Sequence, residues 1–184
     1  EDYDIWYVDR SGRGWGRPVR MDEPINSDAH EFYPTLTKSG TLYFQSRRPG
    51  GVGNSDISRA ELEGSRYVKA ECLPEPVNSP GFEGDALIAP DESYIIISAS
   101  REPQPMPADL YISFRTAEGR WTDPVNMGPE INGPGSENCQ VLSPCGKYLF
   151  FTGRRYDSGR VPATYAGLIK RHNQPQNGLG DSYW

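Results

Sequence analysis

A repeat of about 53 residues is the feature that most constrains the fold of this chain. Two charged residues mark each unit, a glutamate and an arginine, at Glu31, Glu83, Glu137, Arg48, Arg101 and Arg155. Successive equivalents lie 52 to 54 residues apart. Several short strands repeated at a period near 50 residues are typical of propellers and solenoids. The chain is therefore expected to consist of similar β-units.

Each unit reads as four short strands. The segment Ser143-Pro144-Cys145-Gly146 illustrates the turn between the first two, because Pro is excluded from a paired central strand and Gly accepts the left-handed conformation. The aromatic run 148–151 that follows has the length and composition of a strand. The same reasoning predicts strands at 32–37, 41–46, 56–62, 66–73, 85–90, 94–100, 109–115, 121–127, 139–144 and 148–153. Residues 4–10 and 15–21 read as a third and a fourth strand, and 181–184 as the start of another third strand.

These strands predict an all-β fold, a β-propeller of four-stranded antiparallel blades with about three blades in the chain. Residues 1–184 form a single domain with units at about 1–52, 53–105 and 106–180. Propellers usually need four to eight blades to close, and open sheet edges are avoided. Two interpretations remain open: the chain is part of a longer protein, or two chains form a homodimer that completes a six-bladed ring.

Composition and charge argue against some classes of partner. The net charge is −6 and no long Lys/Arg cluster occurs, which argues against a nucleic-acid partner. No apolar run reaches the ~18–20 residues of a transmembrane segment. Because the first residue is Glu1 rather than Met, we expect a processed, trimmed or partial sequence. The three cysteines, Cys72, Cys139 and Cys145, are predicted to be free thiols, because the last two lie roughly 20 Å apart along one predicted strand region.

The third unit carries an insertion. From Asp109 to Asp181 the chain runs 72 residues, where about 53 are expected, and the excess falls at 156–180. Loops of this length inside compact domains are uncommon and often functional. Residues 163–170 within it read as a short strand or a helical turn. The insertion supplies four candidate ligand-binding residues, Tyr156, Arg160, Tyr165 and His172.

Three motifs occur in a fixed order along the chain: a Ser-Pro-x-Gly turn before an aromatic strand, then Ser/Gly-x-Arg, then Asp-Ile/Leu-Tyr. This order resembles the Pro-Asp-type, WD-like β-propeller repeats of TolB-like bacterial envelope proteins. The resemblance covers nearly the whole chain. The usual Ser-Pro-Asp-Gly is replaced by residues 37–40, 89–92 and 143–146, so the motif specifies a turn and not a site. The resemblance implies a periplasmic or secreted binding scaffold, usually with six or more blades and without a common chemistry.

Strand direction predicts one face for the repeated residues. Adjacent strands are antiparallel, so one face holds the starts of the first and third strands and the ends of the second strands. The repeated Glu, Arg and Asp residues are therefore expected to lie together on this face. We interpret the Glu and Arg residues as framework, with Arg bridging carboxylates between strands or blades. The alternative is a carboxylate-ringed funnel for a cation. Residues beside the repeated Glu that vary between units are better ligand-binding candidates: His30, Phe82 and Asn138.

No catalytic residue, metal site or cofactor is predicted, because zinc-protease, Cys-x-x-Cys, phosphate-loop and Gly-x-Ser-x-Gly motifs are all missing from the sequence. The first functional expectation is a non-catalytic scaffold that binds a protein. The second is a glycan- or peptide-binding module that uses the 156–180 loop and exposed aromatic residues. Here Trp15, Tyr67 and Trp121 are either packing residues between blades or a platform for sugar rings. The third is the propeller portion of a prolyl-oligopeptidase-type hydrolase.

Overall fold

The computed structural model describes residues 2–101, 104–155 and 162–184. The fold is all-β, with 45% of residues in strands and 5% in helix. The described elements in chain order are β1 Trp6–Tyr7, β2 Arg10–Ser11, β3 Gly14–Trp15, β4 Val19–Arg20, β5 Glu31–Leu36, β6 Leu42–Ser46, β7 Asp56–Glu63, β8 Arg66–Cys72, β9 Phe82–Ile88, β10 Tyr94–Arg101, β11 Gln104–Phe114, β12 Val125–Asn126, β13 Glu137–Leu142, β14 Leu149–Gly153, α1 Tyr165–His172 and β15 Asp181–Tyr183.

The strands form antiparallel sheets that follow the sequence repeat. Sheet 1 contains β1 and β4, sheet 2 contains β5 to β8, sheet 3 contains β9 to β12, and sheet 4 contains β13, β14 and β15. In sheets 2, 3 and 4 the repeated glutamate pairs with an equivalent position of the second strand, at Ser46, Ala99 and Gly153. The predicted strand order is therefore present in these sheets.

The predicted strands 4–10 and 15–21 are wrong as continuous strands. They divide into the β1–β4 pair and a separate β2–β3 hairpin. Gly12 turns this hairpin at a φ of +57°, and the Gly16 amide donates to the Asp9 carbonyl 2.8 Å away. The Asp9–Gly16 bond continues this hairpin towards the β1–β4 pair, and Pro18, which has no amide hydrogen to donate, lies in the interruption between them.

Three apolar clusters lie between successive sheets. The first joins sheets 1 and 2 through Ile5, Ile25, Leu42, Phe44 and Ala60. The second joins sheets 2 and 3, with Tyr43 and Ile57 against Ile88, Ile95 and Ile97 among its members. The third joins sheets 3 and 4, with Ile96 and Leu110 against Phe151. Each sheet therefore has a forward face, towards the next sheet in the chain, and a rear face, towards the preceding one.

Strand alternation explains this arrangement. Successive side chains of a strand point to opposite faces, so Tyr43 faces forward while Leu42 and Phe44 face the rear. In β10 the same alternation sends Ile96 forward and Ile95 to the rear. The interiors of sheets 2 and 3 are apolar on both faces because each is covered on both sides.

A bulge recurs near the start of every first strand. The pairing of the first and second strands shifts register after Phe32, at the equivalent point in β9, and after Asn138. The next residue in each case has a positive φ, +46° at Tyr33, +48° at Asp85 and +55° at Cys139. Non-glycine residues seldom adopt this region. A bulge re-aims the side chain it carries, so these equivalent residues leave the regular alternation of the strand.

Two further sequence expectations concern cysteines and membranes. All three cysteines are free thiols, as expected from their spacing. No helix within the described ranges has the length and apolarity required to cross a membrane.

Candidate functional site

A buried asparagine precedes each repeated glutamate and fixes the adjoining loop. The side chains of Asn26, Asn78 and Asn132 each bond both backbone groups of one third-strand residue, Ile5, Ile57 and Leu110 respectively. The three N–H···Oδ1 distances are all 2.8 Å. Because each amide satisfies buried backbone groups, the loop that leads into the first strand is held against the third strand of the preceding unit.

In sheet 2 the repeated glutamate is fully partnered. Glu31 is buried and accepts from the Ser27 amide at 3.0 Å, the Ser27 hydroxyl at 2.7 Å and the Ser46 hydroxyl at 3.0 Å. Arg48 forms an ion pair with it at 3.2 Å and donates to the carbonyls of Pro24 and Ile25. The carboxylate is therefore engaged inside the sheet.

Sheet 3 repeats this arrangement with one donor fewer. Glu83 accepts from the Ser79 amide at 2.9 Å and the Ser79 hydroxyl at 2.6 Å, and pairs with Arg101 at 3.1 Å. Ala99 stands where sheet 2 has Ser46. Burial raises the pKa of the Glu83 carboxyl against the opposing effects of these donors.

Sheet 4 departs from the pattern. Glu137 is fully buried, and neither carboxylate oxygen has a hydrogen-bond partner in the described part of the chain. Gly133 occupies the position of Ser27 and Ser79, and Gly153 the position of Ser46, so both hydroxyl donors are lost. Arg155 still donates to two backbone carbonyls, and its guanidinium lies 4.3 Å from the centre of the Tyr183 ring. Burial raises the pKa of Glu137 to about 7, although the Gly133 amide and the Arg155 guanidinium act to lower it.

These contacts argue against the alternative interpretation of the repeated glutamates, a carboxylate-ringed funnel for a cation. Glu31 and Glu83 are fully buried and paired with arginines of their own sheets, and Glu137 is fully buried as well. Such carboxylates do not line an open ring. No group of three or more His, Cys, Asp or Glu residues suited to a metal ion occurs in the residues that the structure describes.

The bulge residues converge from three different sheets. The Tyr33 hydroxyl lies 3.1 Å from the Cys139 sulfur, although the two residues are 106 positions apart. The Cys139 amide donates to Asp85 Oδ2 at 2.8 Å. The contact with Cys139, together with partial burial, raises the pKa of the Tyr33 phenol, and burial raises the pKa of Asp85. We call Tyr33, Asp85 and Cys139 the axial cluster.

Sequence reasoning missed the axial cluster. The sequence carried no clear signal, because the residues on either side of Tyr33, Asp85 and Cys139 also differ from one unit to the next. The bulge that directs them together depends on backbone geometry that the strand pattern does not contain.

The three predicted first-strand candidates lie on different sheets. His30 Nδ1 accepts from the Tyr3 amide at 3.0 Å, and its ring packs 5.2 Å from Tyr3 and 5.8 Å from Phe32. Phe82 lines a cleft of about 720 Å³ near Arg101 and Tyr111. Asn138 is half-buried and pairs with Thr152. No hydrogen bond or ring contact joins His30, Phe82 and Asn138 among the described residues.

The inserted segment contains a helix rather than a strand. Thr164 caps α1, since its hydroxyl accepts from the Gly167 amide at 3.1 Å. Lys170, Arg171 and His172 occupy the last turn, where basic residues interact favourably with the helix dipole. The predicted Tyr165 begins this helix and His172 ends it, both exposed. Tyr156 and Arg160 lie outside the described residues.

The apolar side of α1 is uncovered. Tyr165 is 79% exposed, and Leu168 and Ile169 are also exposed. Positions i, i+3 and i+4 fall on one helix face, so these side chains form a single apolar stripe. No residue of α1 is buried. We call Tyr165, Leu168 and Ile169 the α1 stripe.

The repeated aromatic residues of the fourth strand differ in burial. Tyr67 and Trp121 pack against the clusters between sheets, and the Tyr67 hydroxyl donates to the Gly40 carbonyl at 3.1 Å. Trp15, their equivalent in the β2–β3 hairpin, is exposed.

Comparison of the chain with protein-family models and with curated proteins gave no match.

Proposed function

We propose that the chain contributes about three blades to a β-propeller of the Pro-Asp, WD-like type, and that this propeller is a non-catalytic binding scaffold. Sheets 2 and 3 would be complete blades, and sheets 1 and 4 would be parts of blades on either side of them. Support comes from the repeated forward-to-rear packing of these sheets and from the approach of Tyr33, Asp85 and Cys139 to one another. By resemblance, its location would be the periplasm or the cell exterior.

The contact element of this scaffold is α1, and the observation that carries the proposal is the uncovered α1 stripe. An exposed apolar stripe on a helix contributes nothing to the core that the described residues form, and exposed apolar patches rimmed by polar residues mark protein interaction sites. Amphipathic helices bind by laying such a stripe into an apolar groove. The ligand is therefore a protein.

The charges on α1 indicate which charges the partner surface should carry. The last turn of α1 carries Lys170 and His172, both exposed, directly beside Ile169. Charge complementarity raises the association rate and selects against wrong partners. The partner surface should therefore be an apolar groove with carboxylates at the end that receives the C-terminus of α1.

Photo-crosslinking in the organism that encodes the chain tests this function. A benzoylphenylalanine is placed at Tyr165 or at Leu168, and a matched control is placed at Val68, which is exposed on β8 away from the helix. We expect one protein adduct common to the two α1 positions and absent from the control. Adducts that are identical at all three positions, or no protein adduct from either α1 position, would contradict a binding role for α1.

A glycan-binding role is the second candidate, and the exposure of Trp15 favours it. Its equivalents are packed, so a structural role does not account for an uncovered indole at this position. Titration with soluble peptidoglycan fragments, followed by tryptophan fluorescence, should give a saturable change that Trp15→Ala abolishes and Trp184→Ala leaves unchanged. A change that persists in Trp15→Ala would exclude this residue as the platform.

A further inference from the structure

The axial cluster brings together three different ligand atoms that can bind a metal ion. Tyr33, Asp85 and Cys139 supply a phenol oxygen, a carboxylate and a thiol sulfur, each from the bulge of a different sheet. The Tyr33 hydroxyl lies 3.1 Å from the Cys139 sulfur, and the Cys139 amide nitrogen lies 2.8 Å from Asp85 Oδ2. Thiolate and carboxylate are usual zinc ligands, and the phenol adds a third donor.

The Asp85 carboxylate has few hydrogen-bond donors for a buried acid. Asp85 is 8% exposed, and the Cys139 amide donates to Oδ2. Within the described residues no N–H or O–H group donates to Oδ1. Burial raises the pKa of this carboxyl, although the Cys139 amide and thiol act to lower it. The thiol that acts on Asp85 also contacts Tyr33, so the three groups surround one point.

No positive side chain neutralises this carboxylate. Among the described residues no Lys, Arg or His forms an ion pair with Asp85, whereas the buried Glu83 two residues earlier pairs with Arg101 at 3.1 Å. The Cys139 contact, partial burial and the Asp85 carboxylate all raise the pKa of the Tyr33 phenol. Buried carboxylates are normally paired with a cation or coordinate a metal. The cluster therefore has the charge and the donor atoms of a cation site.

We propose that the axial cluster binds a zinc ion through Cys139 Sγ, the Asp85 carboxylate and the Tyr33 phenolate, with a water molecule as the fourth ligand. Zn–S and Zn–O bonds of about 2.3 and 2.0 Å at a tetrahedral angle place sulfur and oxygen about 3.5 Å apart. The sulfur and the phenol oxygen therefore need to separate by about 0.4 Å from their present distance. The bound ion would join three sheets at one point. This inference is independent of any ligand at α1.

Titration of the metal-free chain with Co²⁺ tests the site, because a bond between Co²⁺ and a thiolate gives an ultraviolet charge-transfer band. We expect one Co²⁺ per chain, this band, and displacement by Zn²⁺, which binds such sites more tightly. The double variant Cys72→Ser, Cys145→Ser retains Cys139 as its one cysteine and should give the same band. Adding Cys139→Ser to this background should abolish the band. Absence of the band from the unmodified chain, or its persistence without Cys139, would overturn the proposal.

Two isosteric substitutions test the oxygen ligands by competition with a chromophoric chelator. Tyr33→Phe and Asp85→Asn should each weaken Co²⁺ binding at least tenfold, while Tyr148→Phe, which changes a tyrosine of similar exposure outside the cluster, should not. Equal affinities for the two tyrosine variants would exclude the phenolate as a ligand.

Two measurements on the unmodified chain do not depend on the folding of a variant. Zn²⁺ should protect Cys139 from iodoacetamide and leave the exposed Cys145 reactive. The thiol and the phenol each lose a proton to solvent on binding, so the affinity should fall about a hundredfold for each pH unit below about 8. Alkylation of Cys139 at the same rate with and without Zn²⁺, or an affinity that does not change with pH, would contradict the site.

Discussion

The burial of Glu137 should make the free energy of unfolding depend on pH, and one substitution should reduce this dependence. Moving a glutamate pKa from an ordinary ~4.3 to about 7 corresponds to about 3–4 kcal/mol, since each tenfold change in an equilibrium constant is about 1.4 kcal/mol. The raised pKa means that the folded state retains a proton that the unfolded state has already lost. Stability contributed by Glu137 is therefore greatest below about pH 4 and is lost as the pH rises to about 7.

The substitution Gly133→Ser should restore part of this loss. Ser27 and Ser79 donate to their glutamates at 2.7 and 2.6 Å, and position 133 is equivalent. A β-carbon at 133 would lie 3.1 Å from Glu137 Oε1 and 3.2 Å from Arg155 Cγ, so both side chains must shift by a few tenths of an ångström to admit it. A hydrogen bond to a charged group contributes about 1.5–3 kcal/mol. We expect a gain of this order at about pH 8 and little change at about pH 4.

Chemical denaturation at several pH values measures both effects. Ser79→Gly is the reciprocal control, because it removes the same donor from Glu83 and should destabilise more at high pH than at low pH. Glu137→Gln should abolish the difference that Gly133→Ser makes between the two pH values. If Gly133→Ser changes the free energy of unfolding equally at low and high pH, the carboxylate is not the group that responds, and the reasoning is refuted.

Three further substitutions test the repeated packing by thermal or urea unfolding. Asn78→Ala removes three buried hydrogen bonds, to Ile57 and Leu73, and should lower the free energy of unfolding by about 2–4 kcal/mol. A loss below about 1 kcal/mol would contradict the role of Asn78 in holding its loop against the third strand. Ile88→Ala should cost about 2–5 kcal/mol, because Ile88 is 2% exposed. Leu36 is 57% exposed, so Leu36→Ala should cost less than about 1 kcal/mol. Equal costs would contradict the difference in burial.

The repeat allowed most of the sheets to be predicted because it is a property of the sequence itself. Equivalent strands share a pattern of apolar alternation, and this pattern fixes strand order and the two packed faces. The same pattern predicted two continuous strands at 4–10 and 15–21, but the pairing there is interrupted between Trp15 and Val19. Pro18 lies in this interruption and cannot donate to a ladder, a local effect that apolar periodicity does not include.

Properties that depend on several units together were not predictable from one unit. The isolation of Glu137 follows from the loss of two donors at Gly133 and Gly153, which lie in different segments. The axial cluster depends on bulges in three sheets, and the α1 stripe depends on the insertion becoming a helix. Comparison of equivalent positions would have indicated the first of these, because Ser27 and Ser79 are already repeated.

The central claim is that equivalent first-strand bulges from different sheets meet in the axial cluster. Nuclear Overhauser spectroscopy tests it directly, since the Tyr33 hydroxyl and the Cys139 sulfur are 3.1 Å apart. We predict cross-peaks between the Tyr33 ring protons and the Cys139 β-protons, lost in Tyr33→Ala. Absence of these cross-peaks, in a sample where the Phe151 and Tyr183 rings of sheet 4 show theirs, would contradict the account.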